Sequence, residues 1–346
     1  MRKKGVLVAT VGILTALLAI AYLSVSLPRG AQTTTSNRSC SLQLLQSIPL
    51  KNIVGRLDHL AVDLTQKKLF LAAFANNSLI SASLVSGTVI KSIGNLSQPQ
   101  GVLLVPGSST VYLSNGGDGS LDAFDSNSLS IIRRISFSSD PDNLRYDSGS
   151  KLLYVGYGAG GIAVVNTSSG RIIKTVGLIG HPESFQLEVS GPRIFVNVPA
   201  GSYVAVLDRN TSSIVSRWLI PNARGNYAMA LDERDHRLFI STREPPQLVV
   251  MDTDSGNIIT RIVTPQDPDD IYYDVSNGCI YVAEGQGFIS IIKQVDSNHY
   301  SEAENLPTSR GARTALLVPE LSRLYLAAPS TNTTQAEIRV YEVSSA

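Results

Sequence analysis

Along residues 42–346, apolar and polar positions alternate with a period of two, in short runs broken by Gly, Asn and Asp turns, and the 3.6-residue helical period is missing. One triplet recurs seven times: an aliphatic residue, then Phe or Tyr, then an aliphatic residue. Its central aromatics are Phe70, Tyr112, Tyr154, Phe195, Phe239, Tyr281 and Tyr325, spaced by 42, 42, 41, 44, 42 and 44 residues. The residue after each triplet is small: Ala72, Ser114, Gly156, Asn197, Ser241, Ala283 and Ala327. Ten and eight positions before each aromatic lies a second apolar pair, from Leu60/Val62 and Val102/Leu104 to Ile271/Tyr273 and Ala315/Leu317. That i, i+2 spacing puts both side chains on one face of a strand.

Pair and triplet are separated by short polar stretches such as LTQKK and DERDHR, which predict a hairpin. A Gly/Asn-rich turn and a third alternating run (LISASL, IAVVN, LVVMD) follow each triplet. Most units then add a turn such as DTDSG and a fourth run such as RIIKTV. Four strands in about 42 residues is the length of a propeller blade, so the chain predicts an all-β fold: a seven-bladed β-propeller of four-stranded blades. The last unit stops after its third strand. Residues 42–48 (LQLLQSI) resemble the other fourth strands and are expected to pair into the last blade, closing the ring and removing a loose edge. The triplet aromatics, always in the second strand, are expected to pack between blades.

The N-terminus reads differently. Arg2, Lys3 and Lys4 precede an uncharged, mostly apolar run over 5–27, long enough to cross a bilayer as one helix. The run exceeds the usual apolar core of a signal peptide and no A-x-A site follows. It therefore reads as a retained anchor with its basic end cytoplasmic and the rest of the chain outside; if cleaved, it leaves a secreted or periplasmic protein. The expected organisation is an anchor at 1–27, a polar, Thr/Ser-rich flexible stalk at 28–41, and the propeller at 42–346. Six N-x-S/T sequons, at Asn37, Asn76, Asn95, Asn166, Asn210 and Asn332, are glycosylation candidates in an organism whose export route modifies asparagine.

With 43% apolar and 16% charged residues the chain buries a large core. The net charge of +1 is spread thinly, which leaves no basic surface for nucleic acid. Cys40 and Cys279 are the only cysteines, too few for a disulfide framework or a CxxC metal site. They oxidise only if their Cα atoms lie within about 7 Å. The expectation is a small buried Cys279 and a free Cys40 in the stalk.

The segments VYLSN (111–115), LYVGY (153–157) and IYVAE (280–284), in units opened by PQG, PDN or PDD, resemble the YVTN-type (YncE-like) β-propeller repeat family over residues 42–346. The resemblance implies the fold. It implies little about activity, because related propellers include binding scaffolds, surface-layer proteins, lactonases and lyases.

In a propeller the first strand of each blade lines the central channel, and the loops entering those strands ring one mouth, where ligands bind. The entries here carry Arg56, Asp58 and His59; Gln100; Asp140, Asp142 and Asn143; His181 and Glu183; Arg224 and Tyr227; Asp267, Asp269 and Asp270; and Arg310 and Arg313. Arg145, a charge within a first strand, is expected to pair with a carboxylate such as Asp142 or to contact an anion in the channel. No cofactor is expected beyond a divalent cation, for which Asp142, His181, Glu183 and Asp269 are the candidate ligands. The residues 116–119 (GGDG) precede no helix and read as a β-turn, not a phosphate cradle. The expected role is an extracytoplasmic, membrane-tethered binding or scaffold module that takes a protein, glycan or small molecule at its channel mouth. The alternatives are a metal-assisted lactonase-like hydrolase or lyase, and a structural envelope protein.

Overall fold

A computed structural model describes residues 40–158 and 160–344. The anchor expected at 1–27, most of the stalk and Asn37 lie outside the described residues. Among the described residues no helix is long and apolar enough to cross a membrane.

The described chain forms seven antiparallel four-stranded sheets, a seven-bladed β-propeller. The inner strands of blades 1 to 7 are Leu60–Asp63, Pro99–Leu104, Pro141–Asp147, Phe185–Leu187, Arg224–Asp232, Pro268–Asp274 and Thr314–Val318. In blade 7 the order runs from Thr314–Val318 through Arg323–Ala328 and Glu337–Val343 to Leu42–Pro49, which pairs from Leu42 opposite Val343 to Pro49 opposite Glu337.

Each triplet aromatic is nearly or wholly buried, and each packs on the next blade around the ring. Phe70 of blade 1 meets Val102, Val111 and Leu113 of blade 2. Phe239 of blade 5 meets Ile271, Ile280 and Val282 of blade 6, and Tyr325 of blade 7 meets Leu60, Leu69 and Leu71 of blade 1. The small residues after the triplets allow this approach, and two of them also pin the neighbouring blade. Ser114 Oγ donates to the Asp142 carbonyl at 2.7 Å, and Asn197 Nδ2 donates to the carbonyls of Tyr227 and Ala228 at 3.0 Å each.

The cysteines depart from expectation. Cys40 and Cys279 form a disulfide with a Cα–Cα distance of 5.8 Å, and both are buried in the cluster between blades 6 and 7. Their sequence separation of 239 residues hides the proximity: blade 7 takes its outer strand from the front of the chain, so the residue just before that strand arrives beside blade 6. The fold therefore does not stand on packing alone.

Of the described sequons, Asn95, Asn210 and Asn332 are exposed. Asn76 and Asn166 are half-buried, their side-chain oxygens accepting from the backbone N–H groups of Val54 and Ser169.

Candidate functional site

The strand entries converge on one mouth of the channel as three linked clusters. The first spans blades 2 to 4. Gln100 donates its amide to Asp140 at 2.8 Å, and His181 Nε2 lies 3.6 Å from Asp142 Oδ2. Ligand atoms of Asp142, His181 and Glu183 all fall within 4.8 Å of one another. Backbone contacts hold each residue in place. The Asp142 carbonyl is held by Ser114, and a Cβ on Gly101 would come within 2.2 Å of that oxygen, so only glycine lets blade 2 approach so closely. Glu183 N–H donates to the Asn197 carbonyl at 3.0 Å. His181 Nδ1 sits 3.3 Å from the Gly158 carbonyl; a carbonyl only accepts, so Nδ1 carries a proton, and Nε2 faces Asp142.

The second cluster joins blades 1 and 6. Arg56 pairs with Asp58 at 2.7 Å, and His59 lies 3.7 Å from Asp58 and 3.5 Å from Asp270. Asp270 also accepts the Ala315 N–H at 2.9 Å.

The third cluster lies across blades 5 to 7. Asp269 is held between Arg243 at 2.8 Å and Arg313 at 3.2 Å, and both arginines also reach Asp267. The Arg243 guanidinium stands 3.6 Å above the Tyr227 ring, a cation–π geometry. Asp269 was expected among the metal ligands. Its carboxylate is taken by two guanidiniums instead, and it stands outside the group of Asp142, His181 and Glu183. Arg243 escaped the sequence reading because it sits on a second strand, near the end of Arg237–Glu244, and no entry motif marks it.

Arg145 also departs from expectation. It makes no ion pair with Asp142; its guanidinium donates to the Leu144 carbonyl at 2.9 Å and to Ser184 Oγ at 3.3 Å, and lies 5.4 Å from the Phe185 ring centre. Asn143 is buried and lines the channel cavity with Arg145.

Crowded acids shape the protonation of the mouth. Burial pushes Glu183 up to about 8, with Asp142 adding to the effect, and burial raises Asp58 to about 6 against the pull of His59 and Arg56. Burial opposes charging of the histidines, but neighbouring carboxylates outweigh it. His181 is raised to about 9, chiefly by Asp142, and His59 to about 10, chiefly by Asp270. Asp142 resists burial and is held below the usual carboxylate range by His181 and His59. Burial thus keeps a proton on Glu183 near neutral pH and Asp142 keeps one on His181, and a divalent cation bound there would replace those protons.

No family model matches the chain. It is similar to the YncE proteins of Salmonella typhi and of Salmonella typhimurium, each 20% identical over 266 residues, covering 72% of this chain and 74% of the relative. Its fold is similar to a solved chain of hydrazine synthase from Kuenenia stuttgartiensis, with a TM-score of 0.74 and 14% identity over 88% of this chain and all of the other. The chain therefore resembles a YncE-like propeller in sequence and fold.

Proposed function

We propose that this chain is a ligand-binding β-propeller, tethered to the outer side of a membrane by residues 1–27, whose channel mouth takes a divalent cation on Asp142, His181 and Glu183 and uses it to hold a small-molecule ligand. The carrying observation is the orientation of His181. Its Nδ1–H is anchored on the Gly158 carbonyl, its Nε2 faces Asp142, and Glu183 completes a group whose ligand atoms lie within 4.8 Å of one another. Metal-bound histidines are held in this way, with the second ring nitrogen donating to a carbonyl or carboxylate that fixes the tautomer. One imidazole and two carboxylates suit Mn²⁺ or Zn²⁺ better than an all-oxygen ion such as Ca²⁺. The Cys40–Cys279 bond supports an extracytoplasmic location, because disulfides persist in oxidising compartments.

Calorimetric titration of the full chain with Mn²⁺ and Zn²⁺ tests the reading. One equivalent is expected to bind, and His181→Ala and Glu183→Ala are each expected to abolish binding without lowering the melting temperature of the metal-free chain. Absence of stoichiometric binding, or binding that both variants retain, overturns it. A second reading is a metal-assisted hydrolase or lyase: three protein ligands would leave coordination positions open, where a bound water would be made more acidic.

A further inference from the structure

We infer that the channel beneath the mouth contains an anion subsite, built on Arg145, for the carboxylate of a small organic acid with an apolar body. This inference goes beyond the cation site and stands whether or not that site binds metal.

A cavity of about 350 Å³ opens along the inner strands and is lined by Arg145, Gln186 and Tyr272 together with apolar side chains such as Leu60, Val102 and Leu316. That volume is at the small end of ligand pockets, which run from about 300 to 1,000 Å³. At the mouth Arg224 and Arg310 are exposed to solvent, while five cations are already paired: Arg56, Arg243, Arg313, His59 and His181 each have a carboxylate oxygen within 4 Å. Arg145 has none. Its partners are a carbonyl, a hydroxyl and the face of an aromatic ring, all neutral, and they occupy two of its five N–H donors.

A guanidinium withdrawn from bulk water whose nearest acids, Asp270 and Asp142, stay beyond ion-pair distance is costly, and an incoming anion reduces that cost. The acids nearest by are engaged elsewhere, Asp142 with His181 and Asp270 with His59 and the Ala315 N–H. The free edge of the guanidinium has the planar fork that matches a carboxylate.

Charge argues for a monoanion. His59 and Asp270, which also line the cavity, pair with each other, so Arg145 is the one unbalanced charge there; a carboxylate balances it and a phosphate dianion leaves an excess negative charge. The neutral amide of Gln186 and the phenol of Tyr272 add dipoles without charge, and the leucine and valine walls accept a short hydrocarbon body.

The test is titration of the full chain in detergent micelles, with chelator present, by acetate, butyrate, hexanoate and inorganic phosphate. Butyrate and hexanoate are expected to bind one to one and more tightly than acetate. Arg145→Met is expected to weaken them at least tenfold while melting no lower than the parent chain, and Arg145→Lys to retain part of the affinity. His181→Ala is expected to keep carboxylate binding in full, which separates this site from the cation site. Carboxylate binding unchanged in Arg145→Met, phosphate binding tighter than butyrate, or no carboxylate binding at millimolar concentration would each overturn the inference.

Discussion

At the residue scale the most informative group away from the mouth is Glu284, wholly buried at the end of the strand Cys279–Glu284. Ser290 Oγ lies 2.8 Å from Glu284 Oε1 and 2.7 Å from Asn305 Oδ1. A serine hydroxyl has one proton. That proton cannot serve both acceptors in full, and protonation of Glu284 resolves the conflict, with Glu284 donating to Ser290 and Ser290 to Asn305. Burial raises this carboxyl from 4.5 to about 9, outweighing the Ser290 hydroxyl and N–H and the Thr264 hydroxyl, which favour the anion. The folded protein therefore holds a proton that the unfolded chain releases above 4.5, so this group's contribution makes stability fall as pH rises from 4.5 to 9. Glu284→Gln removes the titration while keeping a donor. The variant should match the parent at pH 4 and exceed it by roughly 2 kcal/mol at pH 8, a value set well below 1.4 kcal/mol per pH unit because the site relaxes around the charge. Chemical denaturation at a series of pH values checks this, and a stability difference that is flat with pH would refute the protonated assignment.

At the scale of strands and blades, the aromatic triplet holds the ring together. Phe239 is fully buried, packs on the Ile271–Val282 side of blade 6, and contacts Tyr273 and Tyr300 with ring centres 5.2 and 5.9 Å away. Phe239→Ala should cost about 3–5 kcal/mol, the usual range for emptying an aromatic core position. It should leave cation affinity at the mouth within twofold of the parent, because blades 2 to 4 carry that site. Thermal melting and the Mn²⁺ titration, run on one preparation, read both effects. The triplets were legible in the chain because every blade meets the same packing requirement with the same residue types at nearly equal intervals. The strand-entry residues were legible for the same reason. Their pairing was not: Arg243 and Asp269 are 26 residues apart on neighbouring blades, and Arg313 and Asp267 are 46 apart. Such choices depend on how far each side chain reaches across the channel, and no periodic signal records them. For the same reason Asp269 read as a metal ligand and Arg145 as its neighbour's ion-pair partner.

For the whole molecule, the decisive region is where the two ends of the described chain meet. The strand Leu42–Pro49 pairs with Glu337–Val343, and the disulfide just before it fastens residue 40 to blade 6. Without that strand, Glu337–Val343 would become an open edge, the kind of edge that pairs with other chains. The covalent bond bears on the same weakness, since it holds the N-terminal strand near its partner even when the strand frays. A cross-link spanning 239 residues removes much of the unfolded chain's freedom, and loops of this size are worth about 2–5 kcal/mol. Replacing both cysteines by Ala should therefore lower the melting temperature. It should also quicken amide exchange in Leu42–Pro49 and Glu337–Val343 more than in the sheets of blades 2 to 4, because the strand loses its tether while those inter-blade cores are untouched. Hydrogen exchange with peptide resolution distinguishes this from uniform loosening: equal acceleration in all seven blades would mean that the bond stabilises the ring as a whole and not its seam.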